Sequence, residues 1–452
     1  MRHAHRAGRL DRREFLTLGA GALLAPLRAG AQHVRESGSP FQSTVYSIEG
    51  IPDYPYTDLA RPNRHAGVEG LLALMALNNL RFYRTAARDP LGGPIGLIAA
   101  DDIVLVKVNA QWKYRGATNS DVVRGLVQCI LDHPEGFRGE VVIFENGQGR
   151  GSLACDTRGT SYADASIHAN ALNEAHSFLY LVNTLFKERR VSAVLLDPVR
   201  ARFIGADDHQ TDGYRRLEDV SYPCFTTPGG NRVELKEGIW NGSGYDARLK
   251  LLSVPVLKTH GGSEFTGALK HVYGVLSMSD GQSPVRHYAG LGQACGKMVQ
   301  AVRTPVLNIM DAIWVSPGAL EGYPASATFN ARRLAASQDP LALDYWSAKN
   351  ILYPIRGNAA HNPDNATITK WMAAAEDMIN GRGGLFRPGD GILVKRVPGR
   401  KADARPPGRP CLTGAVESLS GRARRSAVPS PSSARAAPAH RATRPGRWRS
   451  GT

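Results

Sequence analysis

The chain has 452 residues, of which 42% are hydrophobic and 21% charged, and this apolar content excludes a wholly disordered protein. The formal net charge is +16, but residues 1–31 carry +4 and residues 401–452 carry +9, which leaves +3 for residues 32–400. The central part of the chain is therefore close to neutral, and a broad basic surface for nucleic acid is not expected there.

Residues 1–31 have the pattern of an export signal. Arg12 and Arg13 precede an apolar run that continues to Leu27, and the segment ends in A-x-A. The run of about 13 residues is too short to span a bilayer, and this order of basic, apolar and small residues is typical of a cleaved signal peptide. Paired arginines are typical of a twin-arginine (Tat) signal. We therefore expect the Tat translocase as a partner, a periplasmic or exported location and no transmembrane anchor after cleavage; an amphipathic N-terminal helix is the alternative.

Strands and helices alternate along the central part of the chain. Apolar spacing predicts a helix over 67–88 and a second helix from Asn119 or Ser120 onward. Short apolar runs predict buried strands over 103–108 and 140–144. A strand, a helix and a strand within about 40 residues form a βαβ unit, so these two strands are expected to be parallel.

The same alternation continues toward the C-terminus. It predicts helices over 168–189, 265–276, 290–303, 340–352 and 368–379, strands over 191–196, 249–257 and 305–310, and closing apolar segments at 385–386 and 392–394. The polar segment 201–248 carries turn signals and predicts a small β insertion. The fold class is therefore α/β, with a mostly parallel, Rossmann-like open sheet flanked by helices.

The chain divides into four segments. They are a Tat signal peptide (1–31), an N-terminal wrap and helix (32–94), an α/β domain (95–397) and a basic tail rich in Arg, Pro, Ala and Ser (398–452). The tail has no apolar period that could order it, so we expect disorder there. It is either a natural extension or a frame-shifted product of GC-rich DNA. Binding of nucleic acid through the tail is a weaker alternative, and nucleic acid is not an expected partner.

Each predicted strand is followed by polar or ionisable side chains. Ligands of an open parallel sheet bind beyond the carboxyl ends of its strands, so these side chains are expected to line one edge. They are Lys107, Asn109, Glu145, Asp197, Lys258, Thr259, His260 and Asp311, followed by Thr266 and Lys270 at the start of the next predicted helix. The dipole of that helix would also favour an anion.

Two kinds of side chain predict two kinds of chemistry at this edge. Basic and hydroxyl groups suit an anionic small molecule, and the predicted substrate-binding residues are Lys107, Asn109, Lys258, Thr259, Thr266 and Lys270. Proton transfer needs acid–base groups, and the predicted catalytic residues are His260, Glu145 and Asp311. A divalent metal is a further prediction, with Asp197, His260 and Asp311 as its ligands.

Other motifs argue against several familiar sites. The five cysteines (Cys129, Cys155, Cys224, Cys295 and Cys411) include no C-x-x-C pair, which disfavours an iron–sulfur cluster or a dense disulfide framework but leaves a single disulfide open. Residues 147–151 read G-x-G-x-G, which is not the spacing of a dinucleotide or P-loop motif and predicts a flexible loop. Asp207-Asp208-His209 is read as a solvated loop rather than a metal cluster.

Several segments together resemble the DUF362 family, a domain of unknown function. They are VLVKVN (104–109), VVIFENG (141–147), VPVLKTH (254–260), TGALKHVYG (266–274), NIMD (308–311) and SQDPLALD (337–344). The resemblance spans roughly residues 95–395 and implies an α/β fold with a site at this edge. Many members carry ferredoxin-like cysteines, which this sequence lacks, and His271 stands where the family more often has Asn. The resemblance implies no particular reaction.

Two hypotheses of function follow from these residues. The first is an exported enzyme of unknown reaction that acts on an anionic small molecule, with or without help from a metal. The second is a non-catalytic periplasmic protein that binds an anionic ligand, which needs the lysines but no acid–base group. Contact between His260 and the carboxylates would favour the enzyme.

Overall fold

The computed structural model describes residues 34–35, 43–56, 58–157, 164–281, 289–379 and 391–398. The predicted signal peptide (1–31), the predicted apolar segment 385–386, Cys411 and residues 399–452 lie outside the described residues. Among the residues that the structure describes, no helix is long and apolar enough to cross a membrane.

Eighteen strands occur in the described residues, numbered in chain order. They are β1 (Val34–Arg35), β2 (Ser43–Glu49), β3 (Tyr83–Arg84), β4 (Gly92–Gly93), β5 (Ile103–Val108), β6 (Glu140–Glu145), β7 (Val191–Leu195), β8 (Gly213–Leu217), β9 (Val220–Thr226), β10 (Arg232–Glu234), β11 (Gly238–Trp240), β12 (Tyr245–Asp246), β13 (Leu249–Val254), β14 (Val256–His260), β15 (Glu264–Thr266), β16 (Leu307–Ser316), β17 (Phe329–Ser337) and β18 (Ile392–Val397).

The α-helices of the same residues are numbered likewise. They are α1 (Ala66–Leu77), α2 (Ser120–Leu131), α3 (Phe178–Tyr180), α4 (Ala268–Tyr273), α5 (Met278–Gly281), α6 (Leu291–Lys297), α7 (Pro340–Ser347), α8 (Tyr353–Arg356) and α9 (Ala366–Ile379). Short π-helical turns extend α3, α6 and α7 over Leu181–Leu185, Met298–Val302 and Ala348–Leu352.

The main sheet has the order β1-β18-β2-β17-β16-β13-β5-β6-β7. All neighbours from β16 to β7 are parallel, whereas β17 is antiparallel to both β16 and β2. Strand β5 comes first in the β5–β7 half and β13 follows on its other side, so the strand order reverses between them. This reversal is the topological switch point at which open α/β sheets bind ligands. The predicted mostly parallel, open α/β sheet is confirmed.

Alternate residues of the central strands pack on opposite faces of the sheet, as the period of a strand requires. Ile103 and Leu105 of β5 belong to the apolar core that includes residues of α4, α6 and α9. Val104 and Val106 belong to the core that includes residues of α1 and α2. Both faces of the parallel strands are therefore covered, which explains their nearly continuous apolar sequences.

The β insertion predicted for 201–248 is confirmed. Strands β8 to β12 form a five-stranded antiparallel sheet in the order β12-β11-β10-β9-β8. Strand β9, which lies between β10 and β8, is buried over six of seven residues. Residues of this sheet, including Val220 and Phe225, extend the core on the α4 face.

Several predicted elements differ from the structure. The first helix ends at Leu77 instead of residue 88, because Asn79 takes a left-handed conformation (φ 68°) and Phe82 enters the core from an extended segment. Only Phe178–Tyr180 and the following π-helical turn form the helix predicted over 168–189. Residues Ser43–Glu49 form a largely buried strand between β17 and β18, where a surface wrap was expected.

The strand predicted over 249–257 is two strands. Pro255 separates β13 from β14 because proline has no N–H group for the ladder. Strand β13 stays between β5 and β16, and β14 pairs with β16 and β15. Lys258, Thr259 and His260 consequently lie within a strand and not beyond one.

Candidate functional site

Lys107 and Glu145 form a buried ion pair beside the switch point. Lys107 is the penultimate residue of β5, and Glu145 ends the neighbouring strand β6. Lys107 Nζ lies 2.6 Å from Glu145 Oε1, and both side chains are at most 3% exposed. Burial lowers the pKa of Lys107 and raises the pKa of Glu145, and their mutual attraction opposes both shifts.

The remaining hydrogen bonds of this pair go to the backbone. Lys107 Nζ donates to the Val108 carbonyl at 2.7 Å. Glu145 accepts from the N–H groups of Ala110 and Asn146 at 2.9 and 2.8 Å. The Glu145 carboxylate therefore contacts one ammonium group and two backbone N–H groups, which hold it in one place at the end of β6.

Lys258 and Lys270 are buried amines with a different environment. Lys258 is 3% exposed, and its Nζ donates to the Gly116 carbonyl at 2.6 Å. Lys270 is 9% exposed, and its Nζ lies 4.3 Å from the centre of the Tyr273 ring. Among the described residues, neither amine has a carboxylate oxygen within 4.0 Å. A buried ammonium group without a counter-charge is costly, so these two positions are unusual.

The electrostatics of the three lysines are coupled. The pKa of Lys258 is lowered to about 7, mainly by burial and also by the charges of Lys107 and Lys270, which act against the attraction of Glu145 and Glu321. Burial likewise lowers the pKa of Lys270 to about 8, with a contribution from Lys107. The predicted substrate-binding lysines are thus close enough to repel one another.

His271, next to Lys270 in α4, is a neutral neighbour of this lysine cluster (Lys107, Lys258 and Lys270). Its Nδ1 lies 2.9 Å from Ser253 Oγ, and the ring is buried. Burial takes the pKa of His271 well below its ordinary value, and Lys107 and Lys258 lower it too. The ring therefore adds no charge at neutral pH.

The N–H groups that begin α4 are occupied by a side chain of the protein. Asp344 Oδ1 and Oδ2 accept from the N–H groups of Ala268 and Leu269 at 2.5 and 3.0 Å. A Cβ atom at Gly267 would lie 2.2 Å from Asp344 Oδ1, so only glycine permits this approach. Burial raises the pKa of Asp344 to about 7. The anion expected at this helix start is therefore Asp344 itself.

The hairpin of β14 and β15 carries the other residues of the K-T-H segment. Lys258 pairs with Thr266 and His260 pairs with Glu264, so Lys258, His260 and the buried Thr266 lie on one face of the hairpin. His260 Nδ1 accepts from the Gly262 N–H at 3.0 Å. Thr259 points to the opposite face, where its Oγ1 lies 3.0 Å from His361 Nε2.

Asp311 and Asn109 organise the backbone next to the site. Asp311 Oδ2 accepts from the Asn119 N–H at 2.8 Å at the start of α2, and Oδ1 accepts from the Ile313 N–H. Burial raises the pKa of Asp311 to about 6, against the attraction of Arg115. Asn109 Oδ1 accepts from the Val256 N–H at 2.9 Å, which ties the end of β5 to β14 across the break at Pro255.

Asp197 holds the G-x-G-x-G loop in place. Its carboxylate accepts from the N–H groups of Gly147, Gly149 and Gly151 at 2.7, 2.8 and 3.2 Å. A Cβ atom at Gly147 would lie 1.9 Å from Gly151 Cα, so the loop folds back closely on itself. The loop predicted to be flexible is thus fastened to the end of β7, and its amides are already engaged.

The predicted metal ligands are spread across the sheet. Asp197 follows β7 and Asp311 lies in β16, four strands away, which corresponds to roughly 19 Å at the usual spacing of strands. One ion cannot bind both carboxylates at that separation. Among the described residues, no group of three or more His, Cys, Asp and Glu side chains could hold a metal ion. These residues do not fit the metal site predicted for them.

Two cavities of the described residues lie away from the lysine cluster. One, of about 770 Å³, is on the β insertion, where His209 stacks 3.8 Å from Trp240. The other, of about 390 Å³, includes Ile103, Glu140 and Val191 at the amino ends of β5, β6 and β7.

Cys129, Cys155, Cys224 and Cys295 are buried free thiols.

Several contributors to the site are not evident from the sequence. One is the backbone carbonyl of Gly116, which accepts from Lys258 and, as a backbone group, gives no signal in the sequence. The backbone is closely packed at this position, since a Cβ atom at Gly116 would lie 2.2 Å from the Glu321 carbonyl oxygen. Tyr273 and Asp344 both lie in segments that carry the family resemblance, yet their contacts with Lys270 and the start of α4 depend on how those segments pack.

Comparisons with known proteins cover part of the chain that carries the lysine cluster. No curated protein matches the chain significantly. Residues 243–349, which include β13 to β16 and thus Lys258, Lys270 and Asp311, match the sequence model of the domain of unknown function DUF362.

Proposed function

We propose that the protein is exported and binds an anionic small molecule at the lysine cluster, on which it acts by proton transfer. The observation that carries this proposal is the pair of buried amines, Lys258 and Lys270, without a carboxylate within 4.0 Å among the described residues. An anion would supply the missing counter-charge. The place, beside the switch point of a parallel sheet, is where such folds bind ligands.

His260 is the proposed proton-transfer group. It lies two residues after Lys258 on the same face of β14 and is half-buried, and an imidazole changes its charge near neutral pH. The oxygens of Glu145 and Asp311 already accept hydrogen bonds from Lys107 or from backbone N–H groups. These carboxylates are therefore proposed to position the site and not to exchange protons with a ligand.

Anion binding is tested by titration calorimetry at pH 7 with inorganic phosphate and succinate as probes. Lys258→Met and Lys270→Met should each weaken binding at least tenfold, because each removes a charged donor from the site. Lys297→Met removes the same charge from a lysine paired with Asp219 at 2.6 Å on α6 and serves as the control. Equal losses in all three variants, or no binding of either probe by the wild type, would contradict the proposal.

A non-catalytic binding protein is the second candidate. It is favoured by the engagement of Glu145, Asp311 and Asp197 in hydrogen bonds within the protein. Proton nuclear magnetic resonance in D2O separates the two candidates: exchange of the carbon-bound protons of bound succinate supports proton transfer. His260→Gln should then abolish exchange and leave affinity within a factor of three. Binding with no exchange favours the second candidate.

The export proposal rests on the sequence of residues 1–31. Replacing Arg12 and Arg13 together by lysine keeps the charge but removes the paired arginines that a Tat signal needs. We expect the uncleaved double variant to remain in the cytoplasmic fraction, whereas the wild type reaches the periplasm, as measured by cell fractionation and immunoblotting. Equal export of both forms would contradict recognition by the Tat translocase.

A further inference from the structure

The lysine cluster has two more positive charges than the carboxylates in contact with it. Lys107 is neutralised by Glu145 at 2.6 Å. Lys258 and Lys270 have the Gly116 carbonyl and the Tyr273 ring as their neighbours. We propose that the ligand is a dianion, either a phosphate-type oxyanion or a dicarboxylate, whose two negative charges bridge Lys258 and Lys270. This inference rests on the proposed function of the same site.

The charged groups that face Lys258 and Lys270 do not cancel the excess positive charge of the lysine cluster. Lys258 faces Glu145, Glu321, Lys107 and Lys270, and Glu321 lies beyond the 4.0 Å of an ion pair. Lys270 faces Lys107 and the Cys295 thiol of α6, whose pKa burial raises to about 12, so this thiol is uncharged. His271 is neutral for the reason given above.

The hydrogen-bond donors match a ligand with several oxygens. An ammonium group has three N–H donors, and Lys258 uses one of them on the Gly116 carbonyl in the described part of the chain. Lys270 contacts the Tyr273 ring face, which attracts the cation but accepts no directed bond of the usual strength. The two amines can therefore offer about five N–H groups to the ligand, which suits the four oxygens of an oxyanion or of two carboxylates.

Binding of a dianion should be coupled to proton uptake. The pKa values of Lys258 and Lys270 are about 7 and about 8 without ligand, and a dianion in contact favours their charged forms. At pH 6.5 about three quarters of Lys258 and nearly all of Lys270 are already protonated, so the uptake should be small. At pH 9 binding should take up about two protons, and affinity should fall roughly 800-fold between pH 6.5 and pH 9.

Calorimetry of the full chain tests this with matched probes. Sulfate and succinate are the dianions, nitrate and acetate the monoanions, and each is titrated at pH 6.5, 7.5 and 9 in buffers of different ionisation enthalpy. We expect sulfate or succinate to bind at least 100-fold more tightly than the monoanions and to show the proton uptake described. The stronger of the two dianions identifies the ligand class.

The outcomes separate this inference from the proposed function. If nitrate or acetate binds as tightly as the dianions and Lys258→Met removes that binding, the site is an anion site but not a dianion site. If a dianion binds with no proton uptake at pH 9, the bridge between the two amines is also wrong. If none of the four probes binds at pH 6.5, the proposed function falls together with this inference.

Discussion

Lys258→Met should stabilise the folded protein by about 4 kcal/mol at pH 6, although it removes a residue of the proposed site. Burial lowers the pKa of Lys258 from 10.5 to about 7. Charging this amine therefore costs free energy in the folded state that the unfolded chain does not bear. Methionine is one atom shorter than lysine and uncharged, so it removes this cost of about 5 kcal/mol, less about 1 kcal/mol for the unpaired Gly116 carbonyl.

The stability gained by Lys258→Met depends on pH. For a base whose folded pKa is depressed, the cost is full below the folded pKa of about 7 and disappears as the pH approaches the ordinary 10.5. The advantage of Lys258→Met should therefore be largest below pH 7 and should turn near pH 10.5 into a loss of about 1 kcal/mol, the cost of the unpaired Gly116 carbonyl. Urea unfolding at pH 6, 8 and 9.5 measures it.

Lys297→Met is the matched control for this series. Lys297 is paired with Asp219 on the surface, and its pKa is raised, not lowered. The control should gain no stability at pH 6. A Lys258→Met variant that is less stable than the wild type at every pH would show that the amine has a counter-charge in the folded protein.

Glu145→Gln should destabilise the protein by about 3–5 kcal/mol at neutral pH. The substitution leaves the Lys107 ammonium group buried without its partner at 2.6 Å, and it also replaces an oxygen that accepts a backbone N–H. Urea unfolding at pH 7 gives the loss. Glu237→Gln, which breaks a surface pair with Lys236, should change stability by less than about 1 kcal/mol.

The double variant Lys107→Met/Glu145→Gln shows whether the pair is the cause. Removing both charges eliminates the uncompensated ammonium group, so the double variant should recover most of the loss of Glu145→Gln. If the double variant is as unstable as the single one, the hydrogen bonds from Ala110 and Asn146 carry the effect instead.

Sequence patterns predicted the positions of strands and helices more closely than the contacts of the site residues. Strands β5 and β6 match their predictions to within one residue, since their apolar runs reflect burial on both faces of a parallel sheet. Helix α2 begins after the Asn119 cap, as predicted. By contrast, β17 was missed, because none of its first five residues is fully buried and only the last four are.

The predicted site residues separate into distinct groups in the structure. Lys107, Lys258 and Lys270 influence one another's ionisation, and Lys107 contacts Glu145. Asp197, Asp311 and Asn109 accept hydrogen bonds from backbone N–H groups of neighbouring loops and strands. A polar residue after a strand can bind a ligand or fasten a neighbouring loop, and the sequence pattern is the same in both cases.

The amino-acid sequence by itself determined the parallel strands and the β insertion, because apolar periodicity and turn signals are local properties. Only the tertiary structure decided which charges are compensated. Lys107 has Glu145, whereas Lys258 has a carbonyl from the loop after β5 and Lys270 an aromatic ring. Charge compensation depends on contacts between distant segments and on burial, which no single stretch of sequence encodes.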